Sequence, residues 1–173
     1  MKIIRFLTML ALLLLSWSVN RAFAQIEQVE MRVDGLACPF CSYGLEKKLK
    51  EIRGVEKVTI NVDKGLVTLT SRKEGSIVVD KLEPVVKDAG FTPGEISLTA
   101  IGKIGESNSM PVFMVGGTEM TFIIKSNASF EKLRSELVGT EKLVRVTGRL
   151  THETPAGHHA HPYTITIEEV NIK

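Results

Sequence analysis

Cys38 and Cys41 are the only two thiols in the chain, and they stand close together in Gly35-Leu36-Ala37-Cys38-Pro39-Phe40-Cys41. A pair of thiolates presented together supports two chemistries. It holds a soft metal ion, or it cycles between dithiol and disulfide. Either use is helped by a helix whose first turn holds the second cysteine, because free N–H groups and the helix dipole favour a thiolate there. A plain disulfide staple is the weaker reading, since so short a spacer closes too small a loop to stabilise much.

The flanking residues predict the elements that would hold this loop. Val29, Met31 and Val33 alternate as in a half-buried strand. Pro39 suits the first turn of a helix, and Cys41, Leu45, Leu49 and Ile52 recur at helical spacing until Gly54, a usual helix terminator. Val58, Ile60 and Val62 alternate next, and Asp63-Lys64-Gly65 supplies a turn before a short strand over residues 66–70. Residues 76–89 place Val78, Leu82, Val85, Val86 and Ala89 on one side of a second helix closed by Gly90. Pro84 within it predicts either a kink or a late start, with Asp80 and Glu83 as a capping pair. Residues 91–100 read as a last strand. The order strand, helix, strand, strand, helix, strand is that of a ferredoxin-like βαββαβ sandwich.

The rest of the chain has another character. Residues 105–111 read as polar and loop-like, which places a boundary near them: residues 25–102 form a first domain and 103–173 a second. Met120, Phe122 and Ile124 alternate, Phe130, Leu133 and Leu137 share one face of a short helix ended by Gly139, and Asn127 suits its cap. Val144 and Val146 alternate within residues 143–150, as do Tyr163, Ile165 and Ile167 in the last strand. Short strands with one helix before the fourth point to a small β-rich, OB-like domain, so the fold class is α+β. Residues 151–162 are rich in His, Gly and Pro and carry all four histidines, His152, His158, His159 and His161. Such a cluster is either a secondary copper or zinc site or a polar loop. Met110, Met114 and Met120 offer thioethers, of which Met120 reads as core.

Residues 1–24 read as a signal peptide. Lys2 and Arg5 are followed by an apolar run over residues 6–17, and Ala22-Phe23-Ala24 is a small-x-small cleavage signature. The run is shorter than the roughly 20 apolar residues that span a bilayer, so no stable membrane span is expected in the mature chain. Without Lys2, Arg5 and Arg21, Lys plus Arg falls from 22 to 19 against 20 Asp plus Glu, and the formal net charge moves from +2 to −1. A basic balance that vanishes on cleavage gives no reason to expect nucleic acid as a partner. The expected localisation is periplasmic or otherwise exported, where an unprotected dithiol tends to oxidise.

Residues 27–100 resemble a heavy-metal-associated domain, the module of copper chaperones, metal-transporting ATPases and the periplasmic mercury-binding protein. The resemblance rests on Gly35 to Cys41 after the first strand, on Gly54-Val55 opening the second, and on Asp88-Ala89-Gly90-Phe91 closing the second helix. It implies that Cys38 and Cys41 bind copper(I) and pass it on by ligand exchange, with mercury(II), silver(I), zinc or cadmium as other ions. It implies a metal-transporting membrane protein or another metal-binding protein as partner, and a carrier in place of an enzyme. It also places Phe91 near the metal loop. Leu36 stands where members of the family usually carry Met, and its similar size preserves the packing. Cys-Pro-Phe-Cys is also the active-site string of glutaredoxins, so a thiol–disulfide oxidoreductase is the alternative. A thioredoxin-like fold needs a strand–helix–strand crossover where this chain offers a tight hairpin around Asp63-Lys64-Gly65.

Overall fold

Alternating burial sets the first strand, β1 (Ile26–Asp34), in which Val29, Met31 and Val33 are buried while Arg32 and Asp34 are exposed. The computed structural model describes residues 26–37, 39–73, 75–138, 140, 142–152 and 163–172. After β1 come α1 (Pro39–Lys50), β2 (Val55–Asn61), β3 (Leu66–Ser71), a 3₁₀ turn (Val79–Lys81), α2 (Leu82–Asp88) and β4 (Thr92–Ser107). The four strands are antiparallel in the order β2-β3-β1-β4, which is the ferredoxin-like arrangement. Leu45 and Leu49 of α1 and Leu82 and Val86 of α2 are buried with Val29, Met31, Val67, Leu69 and Leu98 in one core. The helical spacing of α1 and the two-residue period of β1 therefore meet on the same side of the sheet.

The second helix starts late. Its regular part begins at Leu82, which leaves Pro84 in the first turn, where a missing N–H breaks no helical bond. The expected capping pair does not form, because the cap position is Lys81 and no side chain bonds there. Glu83 points its carboxylate elsewhere, as described below.

The last strand does not stop at Ala100. β4 continues to Ser107 and turns through Asn108 and Ser109, at φ 50° and 63°, into β5 (Met110–Val115). Two consecutive residues at positive φ are the turn geometry that matches the twist of a hairpin. The stretch expected to be a loop is thus the end of one strand, a tight turn and the start of the next. Its polar residues are an exposed hairpin tip, not a linker.

β6 (Thr121–Lys125), α3 (Ala128–Leu137), β7 (Val144–Thr151) and β8 (Thr164–Ile172) complete the described elements. β5 pairs with β6, β6 runs parallel to β8, β8 pairs with β7, and β7 returns to β4. Strands β4, β5, β6, β8 and β7 therefore close in a barrel-like ring around Ile104, Phe113, Phe122, Val146 and Ile165. Met120 packs partly buried against this core, as its alternation predicts. Asn127 caps α3 as expected: its Oδ1 accepts from Phe130 N at 2.8 Å, and its Nδ2 donates to Ile167 O at 2.6 Å. The side chain of Leu133 and Gly139 lie outside the described residues.

One strand serves both halves. Ile96 to Ala100 pair with β1 along one edge and with β7 along the other, and Gly102 to Ser107 then pair with β5. Arg145 of β7 reaches across to Glu27 of β1 at 2.8 Å, and Arg149 bridges Glu95 at 3.0 Å and Glu168 at 2.7 Å. Ion pairs that water still reaches add little energy each; the joint is made chiefly by the β4–β7 ladder and the continuous core. Among the described residues no helix is long and apolar enough to cross a membrane. Residues 1–24, read as a signal peptide, lie outside the described residues.

Candidate metal centre

The loop between β1 and α1 is held from beneath and from one side. Val33 N donates to Gly65 O at 2.8 Å, so the β2–β3 hairpin supports the end of β1. Gly35 follows at φ +93°, and a Cβ there would meet Phe91 Cδ1 at 3.6 Å. Phe91 is brought there by Gly90, which ends α2 at φ +86°, and by Phe91 N donating to Val86 O at 3.1 Å. Leu36 is buried, 8% exposed, and packs with the core beneath the loop. Both expectations for the loop's surroundings, Phe91 beside it and Leu36 under it, agree with these positions.

Cys41 sits in the first turn of α1 and is exposed. That turn contains no acidic residue, so no carboxylate there opposes the positive end of the helix dipole in stabilising negative charge on sulfur. Lys47, Lys48 and Lys50 stand in the last turn, where cations suit the opposite end of the dipole. Lys48 Nζ also donates to Asp88 O at 3.1 Å and ties α1 to the end of α2. Cys38 lies outside the described residues. Among the described residues no three His, Cys, Asp or Glu side chains gather as a metal cage. Among the described residues the donor at this site is the exposed sulfur of Cys41 at the helix start. A closed tetrahedral zinc site would need four ligands.

Residues 30–92 match the family of the heavy-metal-associated domain. This segment is a heavy-metal-associated domain. It runs from β1 to the first residue of β4 and so contains the cysteine loop, both helices of the layer and Phe91. Among solved structures, the chain is similar to the yeast copper transporter domain Ccc2a, determined in apo and Cu(I)-loaded states. The identity is 24% over 39% of this chain and 90% of that one, with a TM-score of 0.35. The CopZ metallochaperone is 25% identical over 39% of this chain and 98% of its own, at a TM-score of 0.35. A copper-binding domain from HMA7, a P-type ATPase, is 20% identical over 40% and 92%, at 0.36. No curated protein matches the chain.

The second helix of the layer meets the end of β7 at His152. His152 stands just past β7, and because Leu150 pairs with Ile96, β7 ends toward the start of β4, the side that carries Phe91. Its Nε2 lies 2.7 Å from Glu83 Oε1, and its ring meets Tyr163 at 4.3 Å between centroids. Tyr163 donates its hydroxyl to the same Glu83 oxygen at 3.4 Å. Glu83 of α2 is thus shared by His152, Tyr163 and, at 3.5 Å, Lys87. His158, His159 and His161 lie outside the described residues. The structure describes one of the four histidines, and places it on the Glu83 carboxylate. Sequence reading missed the roles of Glu83 and Tyr163, whose separations of 69 and 80 residues from their partners leave no local signal.

Burial first, and then the charges of Glu83 and Asp80, push the Tyr163 phenol well above its ordinary range. A pKa raised on folding means that the neutral phenol is the preferred native form. This contribution to stability is complete below the unfolded pKa of about 10 and is lost as pH rises beyond it. Thermal melts from pH 9 to about 12 should therefore fall more steeply for the native protein than for Tyr163→Phe. Parallel slopes in the two proteins would remove this account.

Proposed function

We propose that the protein is an exported carrier of copper(I), which it takes up on Cys38 and Cys41 and releases to a metal-transporting membrane protein or another metal-binding protein. The observation that carries this reading is the exposed Cys41 at the start of α1, inside a heavy-metal-associated domain whose loop is backed by Leu36 and flanked by Phe91.

The chemistry follows from the donors. Two thiolates satisfy a monovalent soft ion and leave room for an incoming partner thiolate, so the ion is exchanged ligand by ligand without ever being free. Binding releases the thiol protons, and acid therefore weakens it. Mercury(II) and silver(I) suit the same pair. Zinc and cadmium, which favour fuller coordination, suit it less. Export follows from residues 1–24, and the pair then works only while loaded or kept reduced. His152, His158, His159 and His161 form a secondary copper-binding segment, and the closed ring of β4 to β8 is a domain of the OB type that supports it.

Anaerobic titration of the reduced protein with copper(I) against a chromophoric chelator tests the reading, with native mass spectrometry giving the stoichiometry. One tightly held ion per chain is expected. A protein that keeps no ion, yet rapidly reduces a small-molecule disulfide, is an oxidoreductase and not a carrier.

A further inference from the structure

The layer formed by α1 and α2 has a groove that plays no part in holding the cysteine loop. Its volume is about 560 Å³, and Ile52, Val78 and Val85 line it together with Lys48, Arg53 and Lys81. That size lies within the roughly 300–1,000 Å³ typical of small-molecule sites, which pair an apolar lining with a few polar groups. Lys48, in the last turn of α1, is part of its lining. Along the helix axis, Cys41 and Lys50 are separated by roughly 14 Å.

The groove's charges are arranged unequally. Lys48 is engaged with the Asp88 backbone oxygen, and Glu51 and Asp88 also stand on the rim. Val78 N donates to Arg53 O at 3.4 Å and Lys81 N to Val78 O at 3.2 Å. These bonds bring Arg53 and Lys81 to either side of Val78. Neither cation makes an ion pair or side-chain hydrogen bond among the described residues. The floor beside them is branched aliphatic surface, half-buried at Val78 and Val85.

We propose that this groove binds a small organic anion with an apolar body, its carboxylate or sulfonate between Arg53 and Lys81 and its body over Ile52, Val78 and Val85. Inorganic anions lack anything for the floor to cover, and a neutral apolar molecule leaves both cations unmatched. The groove's lining shares no residue with the cysteine loop, so the site is separate from it.

The test is a two-dimensional amide NMR titration of the intact, metal-free protein with decanoate, run beside acetate and decanol. Saturable shifts at Ile52, Val78, Lys81 and Val85 are expected with decanoate, with much weaker responses to acetate and decanol. Binding should weaken roughly tenfold in the double variant Arg53→Gln, Lys81→Gln, whose altered side chains are exposed and leave the fold intact. Absence of saturation, equal binding by decanol, or unchanged affinity in the double variant overturns the proposal.

Discussion

Replacing Cys41 with serine is expected to lower copper(I) affinity by more than about 100-fold, since loss of even an outer hydrogen-bond partner of a metal ligand costs about 10–100-fold. Serine keeps the size of the side chain but offers a hard hydroxyl that is not ionised near neutral pH, whereas a soft ion selects a thiolate. The folded chain itself should hardly notice. Cys41 is exposed, and surface changes away from special features usually alter stability by no more than about 0.5 kcal/mol. Cys38→Ser should behave in the same way if the two sulfurs share one ion. Competition titration gives the affinity, and a denaturant curve of the metal-free protein gives the stability. Native affinity in both variants would mean that the ion is held elsewhere, with His152 and its neighbours the first place to look.

Gly102→Ala has the opposite signature, a loss of stability with the metal loop intact. A Cβ at Gly102 would lie 2.1 Å from Met114 O and 2.9 Å from Phe113 Cε2. The first contact is with backbone, which cannot withdraw without opening the β4–β5 ladder at the pair Gly102–Val115. Gly102 is also paired with Val144 of β7, so it stands where β4 exchanges one neighbour for another. Overpacking usually costs about 1–3 kcal/mol, and a clash with backbone at a junction of three strands should lie at or above the top of that range. Thr92 and Gly102 are separated by roughly 33 Å of strand, so Phe91 and the loop beside it should be undisturbed. Unfolding in urea with and without bound copper(I) separates these effects. A Gly102→Ala protein as stable as the native one would mean that β4 does not pass unbroken through this junction.

Together the two variants distinguish site from scaffold, and the same division shows in what the residue pattern reveals. Val29, Met31 and Val33 declare a strand, Cys41, Leu45 and Leu49 a helix, and Asp63-Lys64-Gly65 a turn, because each signal lies within a few residues of the backbone it governs. The loop's neighbours were legible for the same reason. Gly35 and Gly90 take positive φ, and each fixes a chain direction that carries Leu36 under the loop or Phe91 beside it. Residues 105–111 were read as a loop because polarity marks exposure and does not distinguish a linker from the tip of a hairpin. Asn108 was the clue available, as asparagine tolerates positive φ better than most residues.

By itself the sequence determined most of the strands and helices, which of their faces are buried, and that Cys41 stands at the start of a helix. Tertiary structure alone decided that β7 covers the outer edge of β4, that β4 serves a sandwich and a ring at once, and that Glu83 meets His152 and Tyr163. The reason is physical. Periodicity encodes the face a residue presents, but the N–H and C=O groups along a strand edge are the same for every residue except proline. Ser97 meets Gly148 across 51 residues of chain, and no local preference marks that partner. It is selected only when the whole core closes around it.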